Sequence, residues 1–361
     1  MPAPEGISDL LAPPEPANPD PRSAPPTRRA RRRSKGFVAS VVAGALVLVT
    51  VSGAMAYFGF RIALDENIER IEDPFAALDP STRPAPGPAK GSTAPMNILM
   101  LGSDSRISAG DPEAWEFGAQ RTDAIMLVHL AADRQSAAAI SIPRDSWVPI
   151  PGYGEAKINA AYSYGGPTLL INTVEELTGV RIDHLAVTDF ESFTTLTDTL
   201  GGVEITVPDG AGGSVQQAMT GEEALVFTRE RYALANGDFG RVQRQQAWMR
   251  AIALKVTEDR TDLLKMSRFL EAVTKSVSVD EGLTFDKMQD LVLSARKISS
   301  NDITFMTAPY AGTGRSADGQ SIVLLDRAVF DPLMQAVAKD ELADFLAANP
   351  DATDMLPGVV K

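Results

Sequence analysis

Asn97-Ile-Leu-Met-Leu-Gly-Ser-Asp-Ser-Arg106 is an apolar run of strand length that ends in a glycine turn carrying an aspartate and an arginine. Two more runs of this kind, Ala124–Leu130 and Ala137–Ile142, follow closely. Short continuous apolar runs bounded by polar or glycine-containing segments read as strands buried on both faces. Helical patterns lie beyond them: Pro167–Leu177 closed by Gly179, and Phe190–Leu200 closed by Gly201-Gly202. Val203–Val207 reads as another strand, stopped by Pro208. Thr220 and Glu223 have capping-box spacing before a helix over Gly221–Phe227. A longer helix over Phe239–Thr257 takes Asp238 as its N-cap. Helices at 261–276, 284–297 and 326–347, with strands at Ile303–Thr307 and Ile322–Leu325, complete the pattern. The expected fold class is α/β, a three-layer sandwich over residues 96–347 whose central, mostly buried sheet carries helices on both faces, with a tail over 348–361.

Upstream, the sequence changes character. Residues 1–35 hold nine prolines and few large apolar side chains, which predicts a disordered tail. Residues 36–60 carry no charge and match a hydrocarbon core of roughly 30 Å, so they are expected to span a bilayer as one helix. Arg28, Arg29, Arg31, Arg32, Arg33 and Lys35 stand directly before this run and assign the N-terminus to the cytoplasmic side. Ala54-Met55-Ala56 has the small-x-small form of a signal cleavage site, but the apolar region and its lead are longer than a signal peptide needs. Residues 61–95 contain Pro74, Pro80, Pro84, Pro86, Pro88 and Pro95 and read as an extracellular stalk.

Charge narrows the function. Seven basic and four acidic side chains in residues 1–60 leave the remainder at −16 of a total of −13. An acidic body of that kind excludes non-specific nucleic-acid binding, which needs a basic face to displace phosphate counterions. The chain has no cysteine, so disulfides, thiolate metal sites and thiol nucleophiles are excluded together.

Against this acidic background the arginines stand out. Asp104 and Arg106 follow one strand, Arg121-Thr-Asp123 introduces the next, and Arg144-Asp145 ends a third. Ligands in α/β folds gather at strand ends of this kind. Arg229 and Arg231, two apart, would point to one side of an extended segment, and Arg241 and Arg244 would share a face at the start of a helix, with Gln245 beside them. Guanidinium groups at a helix N-terminus form a phosphate site. Carboxylates beside such a site suit Mg²⁺, which needs only one or two of them when phosphate oxygens and water complete its shell. Walker and nucleophile-elbow motifs are missing from the sequence, and His129 and His184 read as structural.

From Met96 to Lys255 the motifs resemble the LytR-CpsA-Psr (LCP) family: Asn97–Arg106, Arg121-Thr-Asp123, Ser141-Ile-Pro-Arg-Asp145, Lys157-Ile-Asn-Ala-Ala-Tyr162, Asp189-Phe190, Gly201-Gly-Val-Glu204, Phe227-Thr-Arg-Glu-Arg-Tyr232 and Gly237-Asp-Phe-Gly-Arg-Val-Gln-Arg-Gln-Gln246. The form of the last motif and the Ala, Gly, Pro and Arg content look like a high-GC Gram-positive source. The resemblance implies a membrane-anchored phosphotransferase with its catalytic domain outside the cell. Such an enzyme moves a glycan from a polyprenyl-pyrophosphate carrier onto a peptidoglycan hydroxyl and leaves a phosphodiester. It also implies Mg²⁺ at Asp104 and Asp123, with the pyrophosphate on Arg121, Arg144, Arg229, Arg231 and Arg241, joined by Lys157, Arg244 and Gln245. Arg144 is expected to be essential, Asp123 or Asp145 to take the hydroxyl proton, and an apolar tunnel to hold the lipid. The segment Arg231-Tyr-Ala-Leu-Ala-Asn-Gly237 departs from the resemblance in being apolar where relatives often carry His or Asp after the Arg pair. Competing readings are a polyprenyl-pyrophosphate pyrophosphatase and a non-catalytic binder of the lipid-linked glycan. A transcriptional regulator is excluded because the tail is too short and proline-rich for a helix-turn-helix.

Overall fold

Alternation along the strands decides which helix each face meets. A computed structural model describes residues 59, 61–103, 122–230, 238–259, 262–350 and 353–360. The expected tail over 1–35 and, but for residue 59, the expected span over 36–60 lie outside the described residues, as do Asp104, Arg106, Arg121 and Arg231. Among the described residues no helix is long and apolar enough to cross a membrane.

The central strands are β1 (Arg70–Ile71), β2 (Met96–Ser103), β3 (Thr122–Leu130), β4 (Ala137–Ile142), β7 (His184–Thr188), β10 (Val277–Asp280), β11 (Ile303–Thr307) and β14 (Asp354–Met355). They form one mixed sheet in the order β1-β10-β7-β2-β3-β4-β11-β14. Three hairpins stand apart from it: β5 (Trp147–Ile150) with β6 (Gly154–Lys157), β8 (Val203–Pro208) with β9 (Ser214–Met219), and β12 (Tyr310–Arg315) with β13 (Ser321–Leu325). The strand expected at Ile322–Leu325 therefore forms but pairs locally with β12, its neighbour across a short turn, rather than joining the central sheet.

The helices are α1 (Ile158–Thr178), α2 (Phe190–Thr199), α3 (Gly221–Arg229), α4 (Asp238–Asp259), α5 (Leu263–Ser276), α6 (Phe285–Ser294), α7 (Arg327–Ala338) and α8 (Leu342–Ala348). Leu99, Leu101, Ile125, Leu127 and Ile140 cluster with Leu170 and Val174 of α1 and with Phe330, Leu333 and Val337 of α7. The alternate residues Met100, Met126 and Val128 cluster with Met249 of α4, and Ile98 and Ala186 with Phe285, Met288 and Leu291 of α6. Each fully buried side chain of this size contributes about 1.5–3 kcal/mol.

Helix boundaries follow local chemistry. Gly165 and Gly166, the latter at φ 65°, break α1 just before Pro167, which starts its second part where its missing N–H costs nothing. Gly179 at φ 66° then closes the helix by donating to the Glu175 carbonyl. The capping box of Thr220 and Glu223 is present on α3. The helix expected over 326–347 is broken between α7 and α8 at Asp340, whose φ of 58° turns the chain.

The segment expected as a stalk is packed instead. Leu64, Ile68, Ile71 and Leu78 are buried, and β1 pairs with β10 in parallel. The Arg83 guanidinium lies on the buried Glu175 carboxylate at 2.6 Å. Proline content signals the absence of regular structure, not the absence of contacts. The C-terminal tail is bound too: Leu356 N–H donates to the Phe305 carbonyl, Val360 N–H to the Thr206 carbonyl, and Val360 is fully buried.

Candidate active site

Strand direction gathers the candidate residues at one end of the sheet. β2, β4 and β7 run parallel in pairs or through β3, so their carboxyl ends coincide with the start of the antiparallel β3. Asp123 begins β3, Pro143-Arg144-Asp145 leaves β4, and Thr188-Asp189 leaves β7 into α2. The loop carrying Arg144 is pinned by backbone hydrogen bonds: Asn159 N–H donates to the Arg144 carbonyl at 3.2 Å, and Val323 N–H to the Asp145 carbonyl at 2.9 Å.

A cavity of about 430 Å³ opens at this edge. Its polar end carries Asp123, Arg144, Arg229, Arg241, Gln245 and Asp189. Its other walls are Met100, Met126, Phe193, Trp248 and Met249. Phe193 and Trp248 stack with ring centroids 3.9 Å apart, and the indole N–H donates to Thr197 Oγ1 at 2.8 Å, which fixes this wall. One end therefore suits an anion and the rest a hydrocarbon.

Asp123 sits at the centre of the charged end. Arg144 donates to its Oδ1 through Nη1, Arg241 Nη1 lies 3.6 Å from the same oxygen, and Arg241 Nη2 donates to the Asp123 carbonyl at 3.3 Å. A second cavity of about 340 Å³ lies against α1 and is lined by Asp145, Lys157, Asn159, Ser163, Tyr164 and Gln320. Arg144 lines both cavities. Lys157 Nζ is 3.0 Å from Asp145 Oδ1.

Other expected residues fall elsewhere. Arg244 lines neither cavity: it lies 4.4 Å from the Phe227 ring centroid and donates to the Phe227 carbonyl at 3.0 Å. Burial there lowers its pKa from the ordinary guanidinium value. Arg229 is the last residue of α3, helical rather than in the extended segment expected for it, while Arg231 lies outside the described residues. Gln246, next to Gln245, is a structural hub whose buried Nε2 donates to Ser141 Oγ and the Met306 carbonyl. His129 and His184 line neither cavity and contact Asp340 and Asp280 respectively.

Sequence reasoning missed Thr188, quoted Asp189 and Thr228 only within motifs, and expected an apolar wall without naming its residues. Asp189 caps α2 by accepting from Ser192 N–H at 2.8 Å, a role its position before an apolar helix could have suggested. The methionines were legible as the alternate face of β2 and β3, but nothing in the pattern says that this face is left partly uncovered.

Among the described residues no group of three or more acidic or histidine side chains forms a metal site. Of the two expected Mg²⁺ ligands only Asp123 is described, and it follows Thr122, the register partner of Ser103, after which Asp104 comes next in the chain. One arginine-paired carboxylate fits Mg²⁺ only in the company of phosphate oxygens and water, the shell that ion accepts.

Comparison with known proteins agrees with the motifs. The LytR_cpsA_psr family matches residues 63–339. The probable cell wall biosynthesis protein LcpB of Corynebacterium glutamicum is 34% identical over 70% of this chain and 62% of its own length. The polyisoprenyl-teichoic acid–peptidoglycan teichoic acid transferase TagU of Bacillus cereus is 30% identical over 69% of this chain and 80% of its own. A structure of TagT, a protein also crystallised from B. subtilis, bound to LIIa-WTA superposes with a TM-score of 0.56 at 23% identity, covering 73% of this chain and 98% of that one. At that identity the likeness speaks for the fold. The chain spans about three fifths of the length of the corynebacterial relatives.

Proposed function

The chain belongs to the LytR-CpsA-Psr family, and from that membership we propose that it is a phosphotransferase moving a glycopolymer from a polyprenyl-pyrophosphate carrier onto a peptidoglycan hydroxyl. The name of TagU pairs a donor and an acceptor of this class. The observation that carries the reading is the two-ended cavity, arginines around Asp123 at one end and Met100, Met126, Trp248 and Met249 beyond. A polyprenyl pyrophosphate has the same two-ended chemistry.

Phosphoryl transfer needs positioning and charge neutralisation more than covalent help. Arg144, Arg229 and Arg241 hold the pyrophosphate, with Arg121, Arg231, Lys157 and Gln245 as further ligands, and Arg244 ties α4 to α3 through the Phe227 carbonyl. The acceptor hydroxyl oxygen bonds to the phosphorus that bears the glycan. The bond from that phosphorus to the bridging oxygen breaks, and polyprenyl phosphate leaves with the electron pair, its charge met by the arginines. The hydroxyl proton passes to a carboxylate, Asp123 or Asp145. Asp104 and Asp123 would hold Mg²⁺ together with phosphate oxygens and water, and the ion would supply further charge neutralisation there. Residues 36–60 anchor the chain in the cell membrane as a single pass, with the N-terminus cytoplasmic and residues 61 onward in the cell wall.

The test is turnover by the full chain in lipid-detergent micelles, with Mg²⁺, a polyprenyl-pyrophosphate-linked glycan and peptidoglycan fragments, beside Asp104→Ala. A glycan–peptidoglycan phosphodiester formed by wild type and lost in the variant is the expected result. Carrier hydrolysis without transfer would make the protein a pyrophosphatase, and binding with neither product would make it a carrier-binding protein.

A further inference from the structure

The second cavity, on the α1 side of Arg144, is not explained by a pyrophosphate-lipid donor. Its neighbours in the structure are aromatic as well as polar. Tyr164 lines it, and Tyr153 from the β5–β6 turn stacks on Tyr164 with centroids 4.9 Å apart and planes inclined by 25°. Tyr153 is 50% exposed, so the stack is reached from solvent on its side. Around it stand Asn159, which offers both a donor and an acceptor, the Asp145–Lys157 ion pair, and Gln320. Aromatic faces that take the C–H side of a ring, with amide and charged groups spaced for its hydroxyls, are what a pyranose needs.

Position adds a constraint. The first cavity lies among Met100, Met126 and Met249, which cluster on one side of the sheet, whereas Ala156, Ala160 and Tyr164 of the second pack against the cluster on the other. Arg144 is common to both. In a phosphoryl transfer the incoming and leaving oxygens lie roughly in line on opposite sides of phosphorus. With the polyprenyl chain in the first cavity, the leaving oxygen is on the α4 side and the attacking hydroxyl must arrive from the α1 side.

We propose that the cavity lined by Tyr164, Asn159 and Gln320, with Tyr153 stacked on Tyr164 beside it, is the acceptor subsite, holding a peptidoglycan sugar so that its hydroxyl faces the phosphorus held by Arg144. The assignment rests on the transferase reading above. The experiment uses the full chain with a soluble disaccharide-peptide fragment of peptidoglycan as varied acceptor. Tyr153→Ala and Asn159→Ala are each expected to raise KM for the fragment about tenfold, a difference of about 1.4 kcal/mol, with KM for the lipid-linked donor unchanged. Tyr153→Phe, which keeps the stack, is expected to behave as wild type. A rise in donor KM instead would assign the cavity to the donor glycan and overturn the proposal, as would no change in either constant. Calorimetric binding of the same fragment without donor separates the two hypotheses. Binding by wild type and not by Tyr153→Ala supports the subsite even if transfer fails, and absence of binding by wild type with transfer intact removes it.

Discussion

Arg241 holds Asp123 at two points, its Nη1 lying 3.6 Å from the carboxylate and its Nη2 donating to the backbone carbonyl of the same residue. The start of α4 is thereby tied to the start of β3, and the fork geometry of a guanidinium is what spans both acceptors. Arg241→Lys keeps the charge and loses the fork. It is expected to reduce the transfer rate by about 10²–10³-fold, the usual cost of one misplaced stabilising donor, with the circular dichroism spectrum unchanged; near-wild-type turnover would show that charge alone suffices.

Arg144 stands on the loop after β4 with its side chain 18% exposed, and it lines two cavities and belongs to no hydrophobic cluster. Arg144→Ala should therefore abolish transfer while the thermal midpoint stays near that of the wild type. Turnover by a folded variant would remove Arg144 from the reaction.

The buried pair of Arg83 and Glu175 gives a stability prediction. Arg83 donates to both carboxylate oxygens and to the Ile182 carbonyl, while Glu175 also accepts from Ile182 N–H. Arg83→Ala leaves the carboxylate without its cation, at a cost of about 3–5 kcal/mol, read as a lower urea midpoint of the full chain. A chain beginning at residue 96 loses this pair and the buried Leu64, Ile68 and Ile71 as well, and is expected to be less stable than one beginning at 61.

Asp183 provides a pH signature. Burial is the main cause that raises its carboxyl above the ordinary value, against a hydrogen bond from Asn97 N–H that pulls the other way. With the folded value raised, the folded state holds the proton more tightly, so this group's stabilising contribution is full below the unfolded value of about 3.9 and is lost as pH rises through the folded one. Asp183→Asn should raise the thermal midpoint at pH 7, with the gain shrinking as the pH approaches 4. An equal gain at both pH values would show that the effect is not ionisation.

Much of this was legible beforehand because the central strands are continuous apolar runs with clear punctuation. β4 and β11 fall where the sequence puts them, Ala137–Ile142 and Ile303–Thr307, and the capping box of Thr220 marks α3. β1 and β10 were not legible: Arg70–Ile71 is too short to show a period, and Val277–Asp280 continues directly from α5 without a breaker. In the site, Asp123, Arg144, Arg229, Arg241 and Gln245 could be named from residue type and strand ends, and they share one cavity. Arg244 could not be separated from Arg241 by spacing, since only the packing of Phe227 decides which of the two guanidinium groups turns away. Tyr153 gave no signal because its role depends on a stacking partner eleven residues on, across a hairpin and a helix start.

The parallel pairing of β1 with β10 also has a mechanical meaning. Glu69 and Arg70 stand on the path from the N-terminal segment into the domain, and they are stitched to Ser278 and Val279 at the sheet's edge. A pull applied on the N-terminal side of residue 61 would meet that seam before it reached β2. The seam runs lengthwise, so its bonds share a pull along the strand, and the Arg83 clasp on Glu175 lies behind it as a second stop. The carboxyl ends of β2 and β4, where the candidate site lies, are thus shielded from a pull on the chain's N-terminal side.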